Sequence, residues 1–253
     1  MSLSSHLDCR RARGLAPDEF YPAYVQTYLQ RDVRDLARVG DESAFLLFMQ
    51  LAAARTGQLL NVNELANEAD IAGNTVRNWL SILEASGVIA FVAPYHGNRS
   101  SKLVKARKLY FLDTGLAAWL GGWKSAEALA RGAAAGAFLE TYVVSEAIKG
   151  AYNRGQQPDF TFFRDHNNRE VDILSIGANT LIPIEVKTTS RPDGRTARRL
   201  LLGDSLKLTQ GHGAVVCMVD KIYPLSDVVN AINGAGLAVK AGLDMGIVNA
   251  GQL

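Results

Sequence analysis

The sequence predicts a chain of α/β class, α+β overall: a helical N-terminal part ending in a winged helix-turn-helix, then a mixed sheet flanked by helices. Three observations carry this. Apolar residues recur at helical spacing through most of residues 17–85, and a short helix, a tight connection and a longer helix close that stretch. Two strand-like segments between Glu170 and Lys187 alternate charged with β-branched residues across a short turn at Gly177-Ala178-Asn179. The run GAVVCMV, Gly213 to Val219, has the continuous apolar character of a strand buried inside an α/β sheet.

The first sixteen residues carry little pattern. From Pro17 to Val39 helical spacing puts Tyr24, Tyr28 and Leu36 on one face, with Pro17 where a helix can begin and Gly40 where it can end. A second helix follows from about Ser43 to Ala54. Next comes NVNELANEADIAGNTVRNWLSILEASGVIAFVAPY, with a short helix near Asn63–Ala69, a connection through Ile71-Ala72-Gly73 and a longer helix near Asn74–Ala85. Leu65 and Ala66 on the first, with Val76, Leu80 and Leu83 on the second, supply a small core. Gly87 is a natural helix stop, and Val88–Val92 and Lys108–Leu112 read as two wing strands. The Ala/Gly-rich stretch Asp113–Gly136 keeps Trp119 and Trp123 and is too apolar for a linker, so two short helices under the next domain are expected there.

The second part reads as a helix (Ala133–Gly150) and strands at Asp159–Arg164, Glu170–Ile176 and Thr180–Lys187. A basic helix (about Thr196–Leu206) and the GAVVCMV strand follow. Beyond Ile222 the pattern weakens. The expected division is an N-terminal helical extension (1–40), a winged helix-turn-helix (41–112), an α/β domain (113–230) and a weakly patterned tail (231–253).

With 253 residues, 48 % of them hydrophobic, the chain can bury a sizeable core, and disorder is not the default. A net charge of +2 does not by itself require a polyanionic partner. The local clusters Arg10-Arg11-Arg13, Lys102-Lys105-Arg107-Lys108 and Arg191-Arg195-Arg198-Arg199 are either phosphate-binding surfaces or solvated faces. Cys9 and Cys217 have no metal-ligand spacing and form no disulfide framework. No apolar run reaches membrane-span length, and the start lacks a signal-peptide pattern, so a reduced, cytoplasmic protein without a membrane partner is expected.

The chemistry concentrates in REVDILSIGANTLIPIEVKT. Alternation places Glu170 with Asp172 and Glu185 with Lys187, while Val171, Ile173, Ile184 and Val186 face a core. If the two strands are neighbours, three carboxylates and one ammonium converge on one patch. Crowded carboxylates repel unless a cation sits among them, and hard oxygen ligands suit Mg²⁺ or Mn²⁺. The same alternation also describes a half-exposed strand whose charges face water.

An acid at the end of one strand followed by Glu-x-Lys on the next resembles the core of the PD-(D/E)xK nuclease superfamily, a restriction-endonuclease-like mixed sheet. The resemblance implies Asp172, Glu185 and Lys187 as the catalytic set, with Glu140 in GAFLETYVVSEAIK as the further carboxylate from the preceding helix. Asp172, Glu185 and Glu140 would then be metal ligands, with Glu170 either a water-mediated ligand or a surface carboxylate. YLQRDVRDL, the helix-turn-helix, RKLYFLDTGLAAWL, GAFLETYVVSEAIK, REVDIL and LIPIEVK together resemble one uncharacterised bacterial and archaeal family. In that family a winged helix and a nuclease-like domain follow an N-terminal AAA-type ATPase. An ATPase domain or partner is therefore implied. This chain itself has no G-x-x-x-x-G-K-[ST] loop, since Gly121-Gly122-Trp123-Lys124-Ser125 has the wrong spacing, and no ATP site is expected in it.

Two functions fit. In the first, the protein binds DNA and carries a metal-dependent phosphodiesterase site. The contacts would come from Asn74, Arg77 and Asn78 near the start of the second helix, beside Thr75, and from Lys102 and Lys105 in the wing loop; Arg195, Arg198 and Arg199 would hold substrate phosphates. In the second, the chain is a non-catalytic DNA- or protein-binding module with an inactive nuclease-like fold.

Overall fold

The computed structural model describes residues 17–28, 42–96, 106–165 and 169–234. The chain divides into two units, residues 1–91 with 108–134, and residues 92–107 with 135–253. Its class is mixed α+β, with helices throughout and one large mixed sheet.

In the first unit, α1 (Pro17–Tyr28) opens with Asp18 and Glu19 in its first turn, where acids complement the helix dipole. Aromatic residues four apart line it: Phe20 stacks on Tyr24 at 6.0 Å and Tyr24 on Tyr28 at 6.4 Å. The Tyr21 hydroxyl donates to Asp113 Oδ1 at 3.1 Å, and that oxygen also accepts the N–H groups of Gly115 and Leu116. Asp113 thereby caps α5 (Thr114–Leu120), and the Tyr21 ring lies 6.1 Å from that of Trp119. These bonds explain why residues 113–134, expected beneath the second domain, group with the first unit instead. The short α6 (Ala126–Arg131) is capped by Ser125.

α2 (Glu42–Ala53) buries Phe45 and Phe48, whose rings meet the Trp79 ring at 4.9 Å and 5.3 Å in edge-on geometry. α3 (Val62–Ala69) and α4 (Gly73–Ala85) are two helices joined by a short connection, and Leu65, Ala66, Val76, Leu80 and Leu83 on them are buried, as their spacing led us to expect. Asn61 caps α3 through its side-chain oxygen, and Asp70 turns the chain with a left-handed φ of 52°, which Asp tolerates better than most residues. β1 (Gln58–Leu59), β2 (Ile89–Val92) and β3 (Lys108–Phe111) make a small sheet in the order β1-β3-β2.

The second unit starts with α7 (Ala135–Asn153) and then builds its sheet. The strands are β4 (Thr161–Arg164), β5 (Glu170–Ile176), β6 (Thr180–Val186), β7 (Thr209–Gln210), β8 (Gly213–Cys217), β9 (Tyr223–Ser226) and β10 (Val229–Asn233). Their order is β4-β5-β6-β8-β10-β9, with β7 also paired to β6. β4, β5 and β6 form an antiparallel meander, β6, β8 and β10 run parallel, and β9 is an antiparallel edge. Residues 93–95 run beside β4, where Tyr95 N–H donates to Phe162 O at 2.6 Å.

Two features differ from expectation. The basic helix is broken into α8 (Gly194–Arg199) and α9 (Gly203–Leu206), because the chain turns between them to bury Leu200 and Leu202 in the sheet's apolar cluster. The weakly patterned segment after Ile222 supplies β9 and β10. β10 spans the expected 230/231 boundary and lies inside the sheet, with Val229, Ala231 and Ile232 buried. Pro183, unusual in an interior strand, is accommodated across from Gly213, where an added Cβ would lie 2.7 Å from the Pro183 carbonyl oxygen. Among the described residues no helix is long and apolar enough to cross a membrane.

Candidate functional site

The β5–β6 ladder runs from Ile176 opposite Leu181 to Ile173 opposite Ile184. One further step would bring Asp172 opposite Glu185. There a side chain substitutes for the backbone: Val186 N–H donates to Asp172 Oδ2 at 2.8 Å. On the other flank of β5, Thr161 pairs with Leu174 but Phe163 pairs with Val171, so β5 holds one extra residue at Asp172-Ile173. This is a β-bulge, a device that re-aims a side chain and ends regular pairing. Strict alternation fails at that point, and Val171 shares an apolar cluster with Leu174. Simple periodicity therefore does not place Glu170 beside Asp172; Glu170 is half-buried and its backbone pairs with Arg164.

Asp172 is 7 % exposed and Glu185 4 %. Lys187, whose side chain is 44 % exposed, brings Nζ to 2.5 Å from Glu185 Oε1. Glu185 Oε2 is buried with no hydrogen-bond partner among the described residues. Burial, and then the negative charge of Asp172, raise the Glu185 pKa to about 7, against the opposing influence of Lys187 and Arg199. A buried carboxylate oxygen left without a donor is costly, and it is an acceptor to which a cation can bind. Two converging carboxylates fit a hard divalent cation in donor chemistry. Glu140 is half-buried on α7. Among the described residues no three His, Cys, Asp or Glu side chains gather as a group able to hold a metal ion, so the site is an Asp172–Glu185 pair.

Sequence reasoning did not single out Arg169. Its Nε donates to Arg199 O at 2.7 Å and its Nη2 to Leu201 O at 2.8 Å, tying the end of α8 to the entry of the strand that carries Asp172. An arginine before a strand carries no local signal of this, because its partners lie some thirty residues away. Of the arginines following β6, Arg195 sits beside the capping Asp193, and Arg198 bonds back to Gly194 O at 3.3 Å. In the first unit, Asn74, Arg77 and Asn78 are exposed on α4, and Arg77 Nη1 donates to Asn74 Oδ1 at 2.9 Å. Lys102, Lys105 and His166 lie outside the described residues.

Fold and site together define an α+β protein of two units, the second carrying a buried acidic pair at an irregular strand junction. Two family models match it, each described as a domain of unknown function: DUF8612 over residues 6–127 and DUF4143 over residues 135–235. The chain is also similar to uncharacterised proteins of Mycobacterium bovis and Mycobacterium tuberculosis, each 28 % identical over 209 residues, covering 83 % of this chain and 46 % of the relative. The chain thus spans about half the length of the curated relatives it matches. No solved structure matches it.

Proposed function

We propose that the chain binds nucleic acid and carries a metal-dependent phosphodiesterase site at Asp172, Glu185 and Lys187, of the PD-(D/E)xK kind, working together with an ATPase domain or partner. The observation that carries this reading is the orphaned, buried Glu185 Oε2 beside Asp172, with Lys187 on the other oxygen. Asp172 and Glu185 would hold Mg²⁺ or Mn²⁺, with Glu140 as an outer ligand reached through water. The metal, when bound, supplies Lewis-acid activation of a scissile phosphate and its attacking water. Lys187, more exposed than the acids, can turn its ammonium from Glu185 to the phosphoryl oxygens and stabilise charge building there. The exposure of Asn74, Arg77 and Asn78 near the start of α4 supports α4 as the DNA-contacting helix in this reading. The similarity to longer relatives is consistent with a further domain acting alongside these two units.

The test is cleavage of plasmid and linear DNA with Mg²⁺ or Mn²⁺ by the wild-type protein, Asp172→Ala and Lys187→Ala. Metal-dependent cutting lost in both variants, by about a hundredfold or more, is the expected result. Cutting that survives both substitutions overturns the assignment. A second reading, a non-catalytic nucleic-acid or protein-binding module, is favoured by the absence of a third gathered carboxylate among the described residues. On that reading Asp172→Ala leaves DNA affinity unchanged or raises it, because a negative charge is removed.

A further inference from the structure

We propose that Arg199 is the phosphate-binding residue of the Asp172–Glu185 site, held in place by Arg169. This deepens the nucleic-acid reading above and rests on it for the identity of the ligand. Three observations single out Arg199 from its basic neighbours. First, the residues flanking it are anchored: Ala197 and Leu200 are buried in the apolar cluster that also contains Val171 and Val215. Val215 is the ladder partner of Glu185, so α8 packs against the sheet beside the acidic pair. Second, Arg169 fixes the end of that helix through the Arg199 and Leu201 carbonyls, three residues before Asp172. The two bonds constrain the direction in which residue 199 leaves the helix, relative to the strand bearing the acid. Third, the Arg198 side chain bonds back to Gly194 O and Arg195 meets Asp193 through its backbone N–H and its charge, whereas among the described residues no hydrogen bond occupies the Arg199 guanidinium.

The Arg199 charge is felt at Glu185, which agrees with this placement. Lys187 and Arg199 together balance the two carboxylates in charge, and a divalent cation on the pair would leave the patch positive. The ligand suited to such a patch is a phosphodiester. The planar guanidinium offers it two parallel donors, which a lysine ammonium cannot reproduce. Arg169 acts only as a positioning residue, since both of its bonds go to backbone carbonyls.

The experiment measures binding of a fluorescent 20-nucleotide DNA duplex to the full chain by anisotropy over a range of salt, with Ca²⁺ in place of Mg²⁺. The proteins compared are wild type, Arg198→Ala, Arg199→Ala, Arg199→Lys, Arg169→Ala and the Arg169→Ala/Arg199→Ala double variant. Arg199→Ala is expected to weaken binding about five- to tenfold and to reduce the salt slope by about one, with Arg198→Ala changing neither. Arg199→Lys is expected to restore the slope but not the affinity. Arg169→Ala is expected to lose several-fold in affinity, and the double variant to be no weaker than Arg199→Ala alone. Additive losses would leave Arg169 a structural residue and overturn its positioning role. Equal effects of Arg198→Ala and Arg199→Ala, or no effect of either, would overturn the role of Arg199, as would a wild-type protein that does not bind the duplex. Because cleavage is not the readout, a protein that binds as expected but never cuts DNA retains this inference while the phosphodiesterase reading falls.

Discussion

The two units differ in how completely their buried polar groups are satisfied. In the first, the buried Thr56 Oγ1 accepts the Phe111 N–H, and the half-buried Asp113 caps α5 while receiving Tyr21. In the second, Asp172 and Glu185 are buried together on adjacent strands, and one Glu185 oxygen meets no donor among the described residues. Local preference and tertiary packing agree in the first unit and conflict at this one place in the second. Such conflicts mark functional sites, because a group poised for a ligand cannot also be satisfied by the protein.

The sharpest way to break this contrast is in the first unit's packing. Trp79, buried and edge-on to Phe45 and Phe48, is purely structural on this account, and Trp79→Ala should cost about 3–5 kcal/mol in denaturant unfolding. A loss under 1 kcal/mol would show that the aromatic cluster does not hold that unit together.

Glu185→Gln should do the reverse and stabilise the protein. The folded pKa of Glu185 lies near 7, above its ordinary 4.5, so between those values the folded chain holds a proton that the unfolded chain has released. The wild type is therefore most favoured below pH 4.5, loses stability as pH rises through 7, and then levels off. The glutamine variant lacks that dependence, and its advantage should reach about 3 kcal/mol near pH 8 and shrink towards nothing near pH 4.5. Unfolding curves across that range check it, and an advantage that grows towards acid pH would contradict the burial argument. Added Mg²⁺ or Mn²⁺ at pH 8 should raise the Tm of the wild type and leave that of Glu185→Gln unchanged.

Smaller effects sharpen the same comparison. Removing a satisfied cap by Asn61→Ala should cost about 1 kcal/mol at every pH, since no titrating group is involved. Arg77→Ala, on an exposed face, should change stability by less than about 0.5 kcal/mol. Its expected signature is a fall of about one in the salt slope of DNA binding, and an unchanged slope would remove α4 from the proposed interface.

Much of this organisation was legible along the chain. The burial of Leu65, Ala66, Val76, Leu80 and Leu83 on α3 and α4 follows from helical spacing, and β5 at Glu170–Ile176 follows from period-two alternation. The weak segment after Ile222 was less legible. β10 is only VNAIN, too short to display a period, and its place is set by parallel pairing with β8 rather than by its own composition.

At the candidate site, the order of residue types along the chain was enough to put charge on strands, because acids and a lysine interleave with β-branched residues. How those groups meet depends on contacts between segments far apart along the chain. The bulge at Asp172 depends on the mismatch between β4 and β5 and turns that carboxylate to the Val186 N–H. The Glu185 pKa depends on burial contributed by distant segments, and the clamp of Arg169 on the end of α8 joins residues thirty and thirty-two positions apart. Periodicity is a property of neighbours along the chain, whereas desolvation and cross-strand register are properties of neighbours in space.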